Sequence, residues 1–241
     1  GGKKVFLHFE GVQSASYVWI NGIEIGYNQG AKEPAEYDIT DYLKKGMNSI
    51  AVKVLRFCDG SYLEDQDTWR LSGIFRDVYL MAAPQVHIQD FYITTDLDEN
   101  YVDAVLNIDL NIHNYRKEAV ANHTVKIELY DGNDRLVAGP LAENTEVVEA
   151  DSHKMLKTSV GIDKPDLWSA EYPNLYTVLL KHFDEKGHLI EILSHKTGFR
   201  EVEIRNRAIY VNGVPVKFNG VNSHMLHPET GPVSYTHLRA H

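Results

Sequence analysis

The residues best suited to chemistry lie between Asp59 and Asp77, where Asp59, Glu64, Asp65, Asp67 and Asp77 share one stretch with Trp69, Arg70 and Arg76. A fully solvated loop has no use for the aromatic and apolar residues mixed in, and a core strand does not carry such charge. The mixture predicts a loop that packs on a neighbouring domain and offers carboxylate oxygens to a polyol or a cation. Glu64, Asp65 and Asp67 are close in sequence, but loop acids mostly face solvent or cap turns, so spacing alone does not make them an acid–base couple. His237 and His241 are spaced to share one helical face, as in some zinc sites, yet no third ligand accompanies them.

The elements that must position this loop read as strands. Val5–Glu10 alternates, and Ser16–Ile20 runs into Asn21-Gly22, the strongest short hairpin signal because both residues tolerate positive φ. Ile23–Tyr27 is the returning strand, and Ser49–Leu55 and Asp77–Met81 complete a first set. Thr40–Gly46 is one helical turn at most, closed by its glycine. Ala83-Pro84 breaks the pattern and marks a first boundary. Beyond it Val86–Ile93, Asp103–Leu110, Val125–Tyr130, Lys157–Ile162 and Leu175–Lys181 recur at the spacing of a sandwich of roughly seven strands over about 115 residues. After Arg200 a further hairpin turns at Asn212-Gly213, and Val216–Asn222 reads as a buried strand ending in polar residues.

Composition limits the partners. The chain has 241 residues, with 43% hydrophobic and 24% charged, which is globular rather than disordered. A net charge of −10 argues against nucleic acid, since nothing would neutralise phosphates. Cys58 is the single cysteine, so no internal disulfide is needed and a reducing, cytoplasmic setting is expected. No apolar run approaches the ~20 residues of a membrane helix. Asn122-His123-Thr124 matches a glycosylation sequon without other support.

The Asp59–Asp77 stretch closely resembles its counterpart in the glycoside hydrolase family that contains the large bacterial β-galactosidases. The similarity extends through Gly26-Tyr27-Asn28-Gln29-Gly30, Pro34–Ile39, Leu167–Tyr176, Gly198-Phe199-Arg200-Glu201 and Gly220-Val221-Asn222. The resemblance implies an all-β chain. A jelly-roll-like sugar-binding domain, N-terminally incomplete, would span residues 1–83, and an immunoglobulin-like sandwich residues 84–199. Residues 200–241 would open a truncated (β/α)8 barrel, with a non-native tail from 233.

The implied activity is retaining hydrolysis of terminal β-D-galactosides such as lactose. Retaining enzymes need two carboxyl groups about 5 Å apart, and the family's glutamate pair lies beyond this chain. No catalytic residue is therefore expected here, and the chain alone should be inactive. By the resemblance, Asp67 contacts the sugar and helps coordinate sodium, Gln29 and Asp59 serve a peripheral magnesium site, and His224 hydrogen-bonds a substrate hydroxyl. Ser223 stands where the family has a basic residue, and Met225-Leu226 replace a more polar pair. The full-length protein would be a homo-oligomer acting on a β-galactoside, without nucleic acid or membrane. The alternatives are a non-catalytic carbohydrate-binding β-sandwich, or a β-glucuronidase or β-mannosidase of the same family. Trp19, Trp69 and Trp168 could form a sugar platform, although packing is the commoner use of such residues.

Overall fold

The computed structural model describes residues 2–63, 71–220 and 222. It is all-β apart from short helical turns, and it divides into one unit within Gly1–Ala83 and another spanning Pro84–Asn219.

The first unit contains β1 (Lys3–Phe9), β2 (Val12–Gln13), β3 (Ala15–Ile20), β4 (Ile23–Asn28), β5 (Ala35–Asp38), β6 (Ile50–Leu55), β7 (Gly73–Ile74) and β8 (Val78–Pro84). Its three-stranded sheets have the orders β5-β1-β8 and β4-β3-β6, and β2 pairs with β7. Alternation places Leu7 and Phe9 of β1 in one cluster with Val18 and Ile20 of β3 and with Ile39. The opposite face of β3 carries Tyr17 and Trp19, half-buried. Asn21 and Gly22 turn the β3–β4 hairpin at φ of 52° and 84°, with Ile20 facing Ile23. The Asn21 amide is also a tertiary tie. It donates to the Tyr42 carbonyl at 2.8 Å and to Asn48 Oδ1 at 2.9 Å, and its oxygen accepts the Ser49 amide at 3.1 Å. The expected helical turn is a 3₁₀ turn at Thr40–Tyr42, started by Asp38 Oδ1 accepting the Thr40 amide at 3.0 Å.

The second unit contains β9 (Val86–Leu97), β10 (Ala104–Asn114), β11 (Val120–Ala121), β12 (Thr124–Tyr130), β13 (Leu136–Asn144), β14 (Val147–Val148), β15 (Ser152–Ile162), β16 (Tyr176–Phe183) and β17 (Leu189–Thr197). A three-stranded sheet, β15-β10-β9, and a four-stranded sheet, β13-β12-β16-β17, share one core. Leu106, Ile108, Leu110 and Ile112 supply one side of it, and Val125, Ile127, Leu129, Val178 and Leu180 the other. Phe199 closes the core edge-on to Tyr176, ring centroids 4.8 Å apart. Truncating one such buried leucine or isoleucine to alanine costs roughly 2–5 kcal/mol, a large share of the ~5–15 kcal/mol a domain holds.

A meander of β18 (Val202–Arg205), β19 (Ala208–Val211) and β20 (Val214–Val216) belongs to the same unit. Tyr101 donates its hydroxyl to Glu203 at 2.9 Å. Asn212, at the φ-positive Asn-Gly turn, accepts the Glu201 amide at 2.9 Å and donates to the Trp168 carbonyl at 3.0 Å.

The strand expected from Val216 to Asn222 is not formed over its described residues: regular structure stops at Val216, and residues 217–220 are exposed. A strand from a parallel sheet is held by neighbouring strands on both sides, and no such neighbours stand among the described residues. No barrel geometry is present there.

Antiparallel register places Val202, Ile204, Ile209, Val211, Val214 and Val216 on one face of the meander. Val202, Ile204 and Val214 are 58%, 82% and 63% exposed. An aliphatic face of this kind drives association. Sedimentation velocity of the purified chain should therefore show concentration-dependent self-association. The double substitution Ile204→Asp and Val214→Asp should shift it toward monomer with an unchanged unfolding midpoint.

Candidate functional site

Two of the sequence-derived site residues, Gln29 and Asp59, lie among the described residues, and both are exposed. Gln29 follows β4, while Asp59 precedes a single helical turn, α1 (Gly60–Leu63). Tyr27 brings them to one neighbourhood. Its hydroxyl donates to Gln29 Oε1 at 2.7 Å. Its phenol is held above the ordinary tyrosine value, first by desolvation and then by the charges of Cys58, Tyr17 and Asp59. Tyr27 in turn sits across the strand pair from Tyr17, centroids 4.7 Å apart, and Tyr17 stacks on Trp19 at 5.9 Å. The outer face of β3 and β4 thus ends in a tyrosine that touches one candidate ligand and feels the charge of the other.

The loop carrying Asp59 is anchored at both stems. Upstream, Ser61 donates to Ser14 Oγ at 2.8 Å, Ser14 donates to the Arg56 carbonyl at 3.0 Å, and Ser61 Oγ accepts the Cys58 amide at 3.1 Å. Asp59 Oδ1 accepts the Gly60 amide at 2.9 Å, which fixes the carboxylate at the start of α1. Downstream, Val12 and Gln13 pair with Ile74 and Gly73. Arg76 donates to the Glu10 and Lys32 carbonyls at 3.3 and 3.0 Å, and its guanidinium and the Lys32 ammonium both lie over the Phe75 ring. Phe75 itself lies on Gly11, where a Cβ would come within 2.8 Å of its Cζ. Both stems therefore close on Glu10–Ser14.

Asp67, Trp69 and His224 lie outside the described residues, as do Glu64, Asp65, His237 and His241. Trp168 is a packing residue. It bonds Phe199 through its backbone, its ring lies under the Arg200 guanidinium at 4.4 Å, and Gly198 abuts its side chain. Tyr27 was not singled out as a contact of Gln29 and Asp59. Its sequence signals are the outward alternation it shares with Tyr17 and Trp19 and its place beside Gln29 in the Gly26–Gly30 block.

Comparison with known proteins identifies the setting. Residues 1–84 match the model of the glycosyl hydrolases family 2 sugar binding domain, and residues 86–200 match the glycosyl hydrolases family 2 model. The chain belongs to glycosyl hydrolase family 2. It is 46% identical over 221 residues to a β-galactosidase of Priestia megaterium, covering 91% of this chain and 21% of that protein. A β-galactosidase of Pectobacterium atrosepticum is 42% identical over 227 residues, 93% of this chain and 22% of its own length. The crystal structure of a Bacteroides uniformis β-glucuronidase superposes with a TM-score of 0.86 at 24% identity, over 96% of this chain and 28% of that one, which is a likeness of fold. The family 2 chain thus spans about a fifth of the length of the curated relatives it matches.

The β-galactosidase relatives imply possible metal ions, and Gln29 and Asp59 are the two described residues expected to serve one. Magnesium prefers about six oxygens in octahedral array, and Gln29 and Asp59 supply two hard oxygens on neighbouring segments. Gln29 Oε1 already accepts from Tyr27. Among the described residues no group of three or more His, Cys, Asp and Glu side chains is arranged to hold a metal ion. No helix among them is long and apolar enough to cross a membrane.

The serine link is the most direct test of the anchored stem. Ser61→Ala removes two hydrogen bonds at a buried point and should cost about 1–2 kcal/mol of unfolding free energy in urea titration. An unchanged midpoint would show that the stem is held by something else.

Proposed function

We propose that this family 2 chain is the substrate-gripping, non-cleaving portion of a retaining β-galactosidase that hydrolyses terminal β-D-galactosides. The observation that carries the reading is the 46% identity to a β-galactosidase over 91% of the chain. On this reading residues 1–83 are the jelly-roll-like sugar-binding domain and 84–199 the immunoglobulin-like sandwich. Residues 200–241 lead toward the (β/α)8 barrel that supplies both catalytic glutamates.

Asp67 would then project from the loop braced on Glu10–Ser14 to accept hydrogen bonds from a galactose hydroxyl. A carboxylate suits that task because charge-assisted bonds to hydroxyls are short and strong. The same oxygen type suits sodium, a hard cation. His224 would donate to a second hydroxyl, and Gln29 with Asp59 would give magnesium part of its shell, the remaining ligands coming from polypeptide outside this chain. Bound there, the ion would hold two loops together without touching the scissile bond. The glucuronidase likeness is one of fold, so it does not displace galactose as the preferred sugar.

A chimera tests this reading. Residues 1–219 replace the matching region of the Priestia megaterium enzyme, and turnover of a chromogenic β-galactoside is compared with that of a β-glucuronide. The chimera should cleave the galactoside, and Asp67→Ala in it should lower kcat/KM about 10- to 100-fold, the loss expected for one charged hydrogen bond. Preference for the glucuronide, or full activity without Asp67, would overturn the assignment.

A further inference from the structure

The second unit buries two imidazoles that the sugar chemistry does not use. His123 immediately precedes β12 and His182 lies in β16, and both have no exposed surface. His123 Nδ1 and His182 Nε2 are 3.0 Å apart, a hydrogen bond in which one ring donates. Their outer nitrogens face carboxylates. His123 Nε2 is 3.5 Å from Glu185 Oε2, and His182 Nδ1 is 3.6 Å from Glu191 Oε2. Neither outer nitrogen makes a hydrogen bond.

Glu191 has a second task. The same Oε2 accepts the amide of Ile88 at 2.9 Å, and Ile88 belongs to β9 in the opposite sheet. Glu191 on β17 therefore stitches the two sheets together beside the histidine pair.

Proton counting defines the state of the row Glu185–His123–His182–Glu191. Two neutral imidazoles carry one N–H each, and the row has three gaps to fill, one between each adjacent pair of groups. One outer nitrogen is therefore always a bare lone pair against a carboxylate. A third proton would fill that gap but create a cation in the core. Glu185 and Asp184 of the β16–β17 turn and Glu191 of β17 favour the cation, whereas burial, the neighbouring ring and Arg116 oppose it.

We propose that this row is an acid-operated latch: with two protons Glu191 holds the Ile88 amide across the sheets, and uptake of a third opens that end of the sandwich. The energetics agree in sign. Burial, followed by the His182 ring, lowers His123 from the ordinary 6.5 to about 4. An opened, hydrated ring takes its proton at the higher value, so the closed state loses stability as pH falls from about 6.5 to about 4. For one group shifted by that amount, the opening equilibrium grows roughly thirtyfold between pH 7.5 and pH 5.

Native-state hydrogen exchange on the 241-residue chain tests the latch. After correction for intrinsic exchange, protection of the Ile88 amide should fall roughly thirtyfold from pH 7.5 to pH 5 relative to the Leu110 amide. The double variant His123→Gln and His182→Gln should reduce that fall to less than threefold. Ring-nitrogen shifts of the unsubstituted chain provide a reading that needs no variant, and the His123 imidazole should be neutral at pH 7.5. An Ile88 amide equally protected at the two pH values, an unchanged response in the double variant, or a cationic His123 ring at pH 7.5 would overturn the proposal.

Discussion

The Asp59–Asp77 excursion depends on its two ends meeting the same short segment. Glu10 donates its amide to the Asp77 carbonyl at 3.0 Å, Gly11 accepts the Phe75 amide at 3.4 Å, β2 pairs with β7, and Ser14 accepts from Ser61. Ordering a residue costs about 1–2 kcal/mol of backbone entropy, so a long free loop could not hold a carboxylate still. Here the two stems are held by ladder bonds and a buried hydroxyl pair. Gly11 is part of the device, because a side chain there would push Phe75 away and with it the Arg76 bonds to Glu10 and Lys32.

Much of the fold was legible because its signals are local. Asn21-Gly22 and Asn212-Gly213 are hairpin turns by backbone geometry alone, and the β3, β10, β12 and β16 patterns alternate cleanly because one face of each is buried. β13 and β17 were not anticipated. They are the two edges of the four-stranded sheet, and their exposure patterns lack a regular period. β13 also contains Gly139-Pro140, which reads as a breaker. In the fold Gly139 sits at φ 103° with its Cα facing the Ile127 carbonyl at a bulge, a spot where any Cβ would collide. The Val216–Asn222 strand failed for the opposite reason: its composition is right for a strand, but pairing is a property of neighbours.

The candidate site was legible only residue by residue. Gln29 and Asp59 are thirty positions apart in the chain, and the phenol that relates them is a tertiary feature of the β3–β4 face. Fold and chemistry also part company. A glucuronidase shares the architecture at 24% identity, so the sheets alone do not specify a function. The buried polar residues of the two-sheet unit are His87, Asn114, His123, Thr145 and His182, none of them near a candidate ligand residue in sequence.

The two Asn-Gly turns have a consequence for how this polypeptide ages. Asn-Gly is the dipeptide in which the following amide nitrogen most easily attacks the side-chain carbonyl, expelling ammonia and leaving a succinimide that hydrolyses to isoaspartate. That attack requires the carboxamide to swing free. In Asn21 it is clamped by Tyr42, Asn48 and Ser49, and in Asn212 by Glu201 and Trp168. The bonds that join each hairpin to its surroundings therefore also shield it from spontaneous covalent decay, and the exposed Asn219-Gly220 pair is left as the weaker point against time.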